Sequence, residues 1–137
     1  MKQILILGAG LVARPAARYL LQKGGLSVVL ADQQPDKAAA IIAGHPNGRA
    51  VQLDIRDSTA LTAAVQSADI VVSLLPWTLH AVIAGHCLDH GRHLVTASYV
   101  SDQMQAMHQK ARDKELIFLN EVGVDPGLDH MSAMQVI

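Results

Sequence analysis

One cysteine, Cys87, stands in 137 residues. That excludes a disulfide framework and fits a reducing compartment. Aromatic side chains make up only 3% of the chain, so the core is expected to be aliphatic. Charge is sparse, at 17% of residues with a net value of −1, which leaves no basic surface for nucleic acid or an anionic membrane. No apolar run reaches the length of a membrane span, and the N-terminus lacks the basic start and cleavage site of a signal peptide; a cytoplasmic location is the expectation. Repeats and low-complexity segments are missing too. His86, His90 and His93 lie near Cys87, but their spacing matches no familiar zinc site, and no metal is expected. What remains is a chain of which half the residues are hydrophobic, long enough for one domain with a proper core.

The most informative segment is Ile4 to Pro15, ILILGAGLVARP. Four consecutive apolar residues, Ile4 to Leu7, read as a central strand covered on both faces. Gly8 then permits a tight turn, and Gly10 lets the backbone approach a pyrophosphate. Ala13 is small enough for close helix–strand packing in the place of a third glycine. The following helix aims its free N–H groups and positive dipole end at the same point. Arg14, opening that helix, is a further candidate for touching a phosphate. A second strand, Leu26 to Ala31, ends on Asp32, 22 residues after Gly10. A carboxylate at that spacing accepts hydrogen bonds from an adenosine ribose. It repels a 2′-phosphate, and no Arg stands beside it in Ala31-Asp32-Gln33-Gln34, so the sequence leans to NAD over NADP.

Strand and helix patterns alternate along the rest of the chain. Helices are expected over Leu11–Gln22, with Val12, Ala16, Tyr19 and Leu20 on its apolar face, then over Pro35–Ala43, from Asp57-Ser58 to Gln66, and over Thr78–His90 and Ser101–Lys114. Ser101 is read as a helix cap. Strands are expected over Gln3–Leu7, Leu26–Ala31, Ala50–Leu53, Asp69–Leu74, His93–Thr96 and Leu116–Leu119. Such alternation implies right-handed crossovers and a doubly wound parallel sheet, an α/β Rossmann fold with six strands in order 3-2-1-4-5-6. Ligands then bind at the carboxyl ends of the strands. The loops there are Asp54-Ile55, Leu75-Pro76-Trp77-Thr78, Thr96-Ala97-Ser98-Tyr99 and Asn120 to Gly127. The last two gather hydroxyls and carboxylates where a nicotinamide ring and a polar substrate would meet. Trp77 either stacks on a ligand or roofs the crevice. Asp125-Pro126-Gly127 taken alone is a good turn sequence. Cys87, mid-helix among apolar residues, reads as buried and inert.

The segments GAGLVARP, SLLPWTLH, VTASYVS and NEVGVDPGLDHMSAM together resemble the saccharopine dehydrogenases, in particular the glutamate-forming reductases and the corresponding half of the bifunctional lysine-degrading enzymes. The resemblance implies hydride transfer between a nicotinamide cofactor and the CH–NH bond of an amino-acid substrate. It assigns Gly8, Gly10, Leu11 and Val12 to the pyrophosphate loop and Asp32 to the acid of the NAD-using members; the NADP-using fungal members carry an Arg nearby. Asp54 and Ile55 match the adenine loop, Leu75 the loop after strand four, and Thr96 the loop under the nicotinamide. Ser98 and Tyr99 match substrate-binding residues, and Asp125 an active-site carboxylate. Taking hydride from carbon requires losing a proton from nitrogen, which Asp125 would ease electrostatically while Tyr99 orients a substrate carboxylate or water.

The resemblance also implies a homodimer and a second domain bearing the remaining substrate arginines. Residues 1–127 are therefore expected to form the dinucleotide-binding domain, and residues 128–137 to start a helix leading to a substrate domain. This piece alone is expected to bind NAD without turning substrate over. The alternatives are a polyamine-pathway enzyme of the carboxynorspermidine or homospermidine synthase type, and a non-catalytic NAD-binding redox sensor.

Overall fold

A computed structural model describes all residues, Met1–Ile137. Six strands, β1 (Lys2–Leu7), β2 (Leu26–Asp32), β3 (Gly48–Gln52), β4 (Ile70–Ser73), β5 (His93–Thr96) and β6 (Phe118–Leu119), form one sheet. Their order is β3-β2-β1-β4-β5-β6, and every neighbouring pair runs parallel. The order reverses between β1 and β4, which opens a crevice at the carboxyl ends of these two strands.

The unbroken apolar run of β1 has a direct cause. Successive side chains of a strand point to opposite faces, and here both faces are covered. Leu5 and Leu7 join Leu61, Val65, Ile83, Ala84 and Cys87 on one side. Ile4 and Ile6 join Ala13, Ala17, Leu21, Ile41 and Ile42 on the other. All are aliphatic or small, in keeping with the shortage of aromatics. Removing one such side chain, as in Leu5→Ala, is of the kind that costs about 2–5 kcal/mol.

The helices are α1 (Ala13–Leu21), α2 (Pro35–Ile42), α3 (Ser58–Ser67), α4 (His80–His90), α5 (Asp102–Ala106), α6 (His108–Asp113) and α7 (Leu128–Val136). Two differ from the sequence pattern in instructive ways. α1 buries Ala13, Ala17 and Leu21, not the face through Val12 and Tyr19, both of which are 60% exposed. Small residues face the sheet because the helix must sit close to it, and the larger apolar ones turn outward. The stretch expected as one helix after β5 is two, divided at Met107. Ser101 caps the first of them, its hydroxyl accepting from Met104 N–H at 3.2 Å. Asp57 caps α3 in the same way, through Ala60 N–H at 3.0 Å. α7 has no buried residue, and no helix is long and apolar enough to cross a membrane.

Candidate functional site

The first wall of the crevice is the β1–α1 turn. Gly8 has φ +101°, and a Cβ there would lie 3.1 Å from the Leu74 carbonyl oxygen, so both conformation and space demand glycine. Gly10 is different: a Cβ on it would meet nothing within 4 Å. The fold therefore does not need glycine at position 10, and the space it keeps clear lies directly before the N-terminus of α1. That suits close approach of a phosphate to the backbone. Leu11, 98% exposed, and Val12 face outward, so this loop presents main chain to a ligand more than side chains.

Asp32 does something the spacing rule did not foresee. Its Oδ2 accepts from Ala9 N–H at 2.7 Å and its Oδ1 from Gln34 N–H at 2.8 Å. The carboxylate ties the glycine turn to the end of β2, and two backbone dipoles compensate its charge. A cavity of about 220 Å³ lies beside it, lined in part by Gly8, Asp32, Gln33, Ile55 and Leu75. Next to it, Arg56 grips Asp54 with a two-point bond, Nε to Oδ1 at 3.0 Å and a terminal nitrogen to Oδ2 at 2.6 Å. Those bonds, with a backbone N–H from Arg56 and a donor from Gln33, hold the Asp54 carboxyl far below the usual carboxylate range. Arg56 is thus part of this loop, where its sequence reads as plain surface charge. On the outer side of the turn, Arg14 and Lys37 border a depression with Ala9, Gly10 and Leu11, and neither forms an ion pair.

The opposite wall is built by the loops after β5 and β6. Trp77, Ser98, Tyr99, Ser101, Asp125 and Pro126 are among the residues lining a cavity of about 450 Å³. Tyr99 hydroxyl donates to Asp125 Oδ1 at 2.5 Å. That bond to a carboxylate, with some desolvation, pushes the Tyr99 phenol up to about 12. The His130 ring meets Tyr99 edge-on at 6.2 Å between centroids, and its Nδ1 lies 3.0 Å from Asp129. Gly127 has φ +144°, and a Cβ there would collide with the backbone of Gly123, so this loop is held tightly where it carries Asp125. Thr96 is buried and donates to Asn120 Oδ1 at 3.0 Å. Its hydroxyl thus braces the floor of the crevice and does not face into it. Trp77 is 67% exposed at the cavity mouth.

One residue of this wall escapes sequence reasoning altogether. His80, the first residue of α4, is buried and bridges Ser73 at the end of β4 to Ser98 after β5. Its only signal in the chain is its place in SLLPWTLH. Three other histidines have partners of their own: His86 pairs with Thr62, His90 with Gln66, and His93 accepts from Ile117 N–H. Cys87 is buried, and burial pushes its thiol up to about 12, which makes it a poor nucleophile.

Residues 4–119 match the saccharopine dehydrogenase NADP-binding domain family. The chain is 40% identical, over its whole length, to 30% of the saccharopine dehydrogenase [NADP(+), L-glutamate-forming] of Schizosaccharomyces pombe. It is 39% identical to the α-aminoadipic semialdehyde synthase of Arabidopsis thaliana, over 98% of this chain and 14% of that protein. The apo saccharopine dehydrogenase (L-Glu forming) structure from Saccharomyces cerevisiae superposes with a TM-score of 0.92 at 29% identity, covering 99% of this chain and 30% of that one. The chain therefore spans under a third of the length of each of these relatives. The expectation of NAD over NADP is overturned: the matched family is an NADP-binding domain, and relatives in Schizosaccharomyces pombe and Pyricularia oryzae are named as NADP(+) enzymes. Asp32 shows why spacing misleads here: its Oδ2 is held by Ala9 N–H and its Oδ1 by Gln34 N–H, so a carboxylate at this position has a structural task whichever cofactor is bound.

Proposed function

The chain belongs to the saccharopine dehydrogenase NADP-binding domain family, and we propose that it binds NADP(H) along the carboxyl edge of the sheet and presents the nicotinamide to an amino-acid amine. The observation that carries this reading is the β1–α1 turn, where Gly8 is required by φ and space and the opening at Gly10 stands directly before the N-terminus of α1. Backbone N–H groups of the turn and of α1 take the pyrophosphate. Arg14 and Lys37 are the unpaired cations of this end, suited to phosphate oxygens. Leu75 and Ile55 supply apolar surface under the adenosine side of the crevice.

The nicotinamide, when bound, accepts or donates the hydride. This chain's own groups do the rest. Ser98 and Tyr99 hold a substrate carboxylate or an ordered water. Asp125 stands by the amine, stabilising its protonated form and easing proton transfer from nitrogen as hydride leaves carbon. The lining of the larger cavity includes no Arg or Lys, so it meets the amine and one carboxylate of a dicarboxylate substrate and leaves the other carboxylate to cationic groups. Residues 1–127 are thus the cofactor domain, and turnover requires cationic side chains from a further domain to which α7 leads. The substrate class of this reading is the amino-acid amines of lysine metabolism, handled by a homodimeric cytoplasmic enzyme. Isothermal titration with NADPH tests it: a saturable isotherm with one site per chain is expected. No binding at millimolar cofactor would overturn the reading.

A further inference from the structure

The buried imidazole of His80 takes part in none of the roles described so far, yet it sits under the amino-acid end of the crevice. It is 3% exposed. Its Nδ1 lies 2.9 Å from Ser73 Oγ and its Nε2 lies 2.8 Å from Ser98 Oγ. Burial lowers its pKa below the ordinary 6.5, so the ring is neutral near pH 7. A neutral imidazole has one donor nitrogen and one acceptor nitrogen. The two serines must therefore see opposite characters, and the position of a single proton decides which.

Ser73 settles the choice. It is wholly inaccessible to solvent, and His80 is the one hydrogen-bond partner of its hydroxyl. Were Nδ1 protonated, the Ser73 O–H would have no acceptor, and a buried unpaired donor is costly. With the proton on Nε2, Ser73 donates to Nδ1 and Nε2–H donates to Ser98 Oγ. Every buried group is then satisfied. Ser98 also lines the open cavity beside Tyr99 and Asp125, and its own hydroxyl hydrogen is left free to point there.

We propose that His80 is a positioning residue, which fixes the Ser98 hydroxyl as a hydrogen-bond donor aimed at an anionic or carbonyl oxygen of the ligand. The identity of that oxygen, a carboxylate of an amino-acid substrate, rests on the function proposed above; the direction of the hydrogen bonds does not. Asp125, an acceptor, and Ser98, a donor, then face one cavity with opposite preferences. That pair selects a ligand carrying an amine and a carboxylate a short distance apart.

Long-range ¹H–¹⁵N correlation spectra of the ¹⁵N-labelled chain read the tautomer directly, with the His80 signals identified by their loss in His80→Gln. The proposal expects the proton on Nε2 and a bare Nδ1, with Ser98→Ala shifting the Nε2 signal. A proton on Nδ1 overturns it. Titration with L-glutamate, followed by the amide signals of residues 98–100, supplies the functional arm. His80→Leu is expected to weaken binding about tenfold, and His80→Gln, which can place a donor near the Nε2 position, to recover to within about threefold. Equal affinity in all three proteins would also overturn the proposal. If glutamate leaves the wild-type spectrum unchanged, the amino-acid reading is what fails, and the tautomer still decides the role of His80.

Discussion

At the β1–β2 end of the crevice the groups closest to the glycine turn are main chain. Gly8 shapes the turn, Gly10 leaves it open, and the nearest carboxylate, Asp32, holds Ala9 N–H at 2.7 Å. At the β5–β6 end the offered groups are side chains. Ser98, Tyr99 and Asp125 line the larger cavity, Ser98 tied to a buried histidine and Tyr99 to Asp125. The first arrangement suits a ligand part common to many enzymes, since backbone N–H groups recognise phosphate without regard to the rest of the molecule. The second can be altered residue by residue, and under the proposed function it is where substrate choice resides. A polar side chain near the crevice thus has different surroundings at the two ends: Asp32 is held by two backbone N–H groups, and Asp125 by the Tyr99 hydroxyl.

The largest expected effect that probes this contrast separates the two glycines. Gly8→Ala places a Cβ against the Leu74 carbonyl at positive φ, and chemical denaturation should show a loss of about 3 kcal/mol. Gly10→Ala has open space, so stability should stay within about 1 kcal/mol of the parent while NADPH affinity drops at least about tenfold. Unchanged affinity in Gly10→Ala would break the picture of a main-chain cradle.

Asp32→Ala comes next. It leaves Ala9 and Gln34 N–H groups without their acceptor, and a destabilisation of about 2 kcal/mol is expected by denaturant titration. Asp32→Asn retains one acceptor oxygen and should lose less. If Asp32→Ala changed cofactor choice with no change in stability, the structural reading of this carboxylate would be wrong.

The pH dependence of stability carries a smaller signal from the other end. The folded-state pKa of His80 lies below the unfolded value near 6.5, because burial disfavours the charged ring. Below pH 6.5 the unfolded chain binds the extra proton first, so this contribution is complete above pH 6.5 and declines as pH falls toward the lowered folded value. Thermal melts across that window should show this slope in the parent and lose it in His80→Gln.

The smallest effect on the fold, and the sharpest local one, concerns Tyr99. In a Tyr19→Phe background its phenol should titrate near pH 12 by ultraviolet absorbance, and Asp125→Asn should bring it back toward the ordinary value of 10. A titration near 10 in both proteins would mean that the Tyr99–Asp125 bond does not persist in solution.

The sheet order was legible because β1 is apolar at every position from Ile4 to Leu7 and because strands and helices alternate; both are consequences of covering each sheet face. Gly8 and the cap at Ser101 were legible for a different reason, since each is dictated locally. The NAD preference drawn from Asp32 was wrong: spacing locates a carboxylate at the end of β2 and says nothing of where its oxygens point. His80 was invisible because its partners, Ser73 and Ser98, are neighbours only once β4 and β5 pair. The buried face of α1 was misjudged because tight packing on the sheet favours alanine over the larger Val12 and Tyr19.

The central claim is that one crevice has a cofactor end and an amino-acid end. Amide shift mapping of the ¹⁵N-labelled chain, first with NADP⁺ and then with L-glutamate added, tests it most directly. The account predicts NADP⁺ shifts centred on residues 8–14, 32–34 and 75, followed by glutamate shifts centred on residues 98–100 and 125. Shifts from NADP⁺ scattered away from the β1–α1 turn, or glutamate shifts confined to that turn, would contradict it.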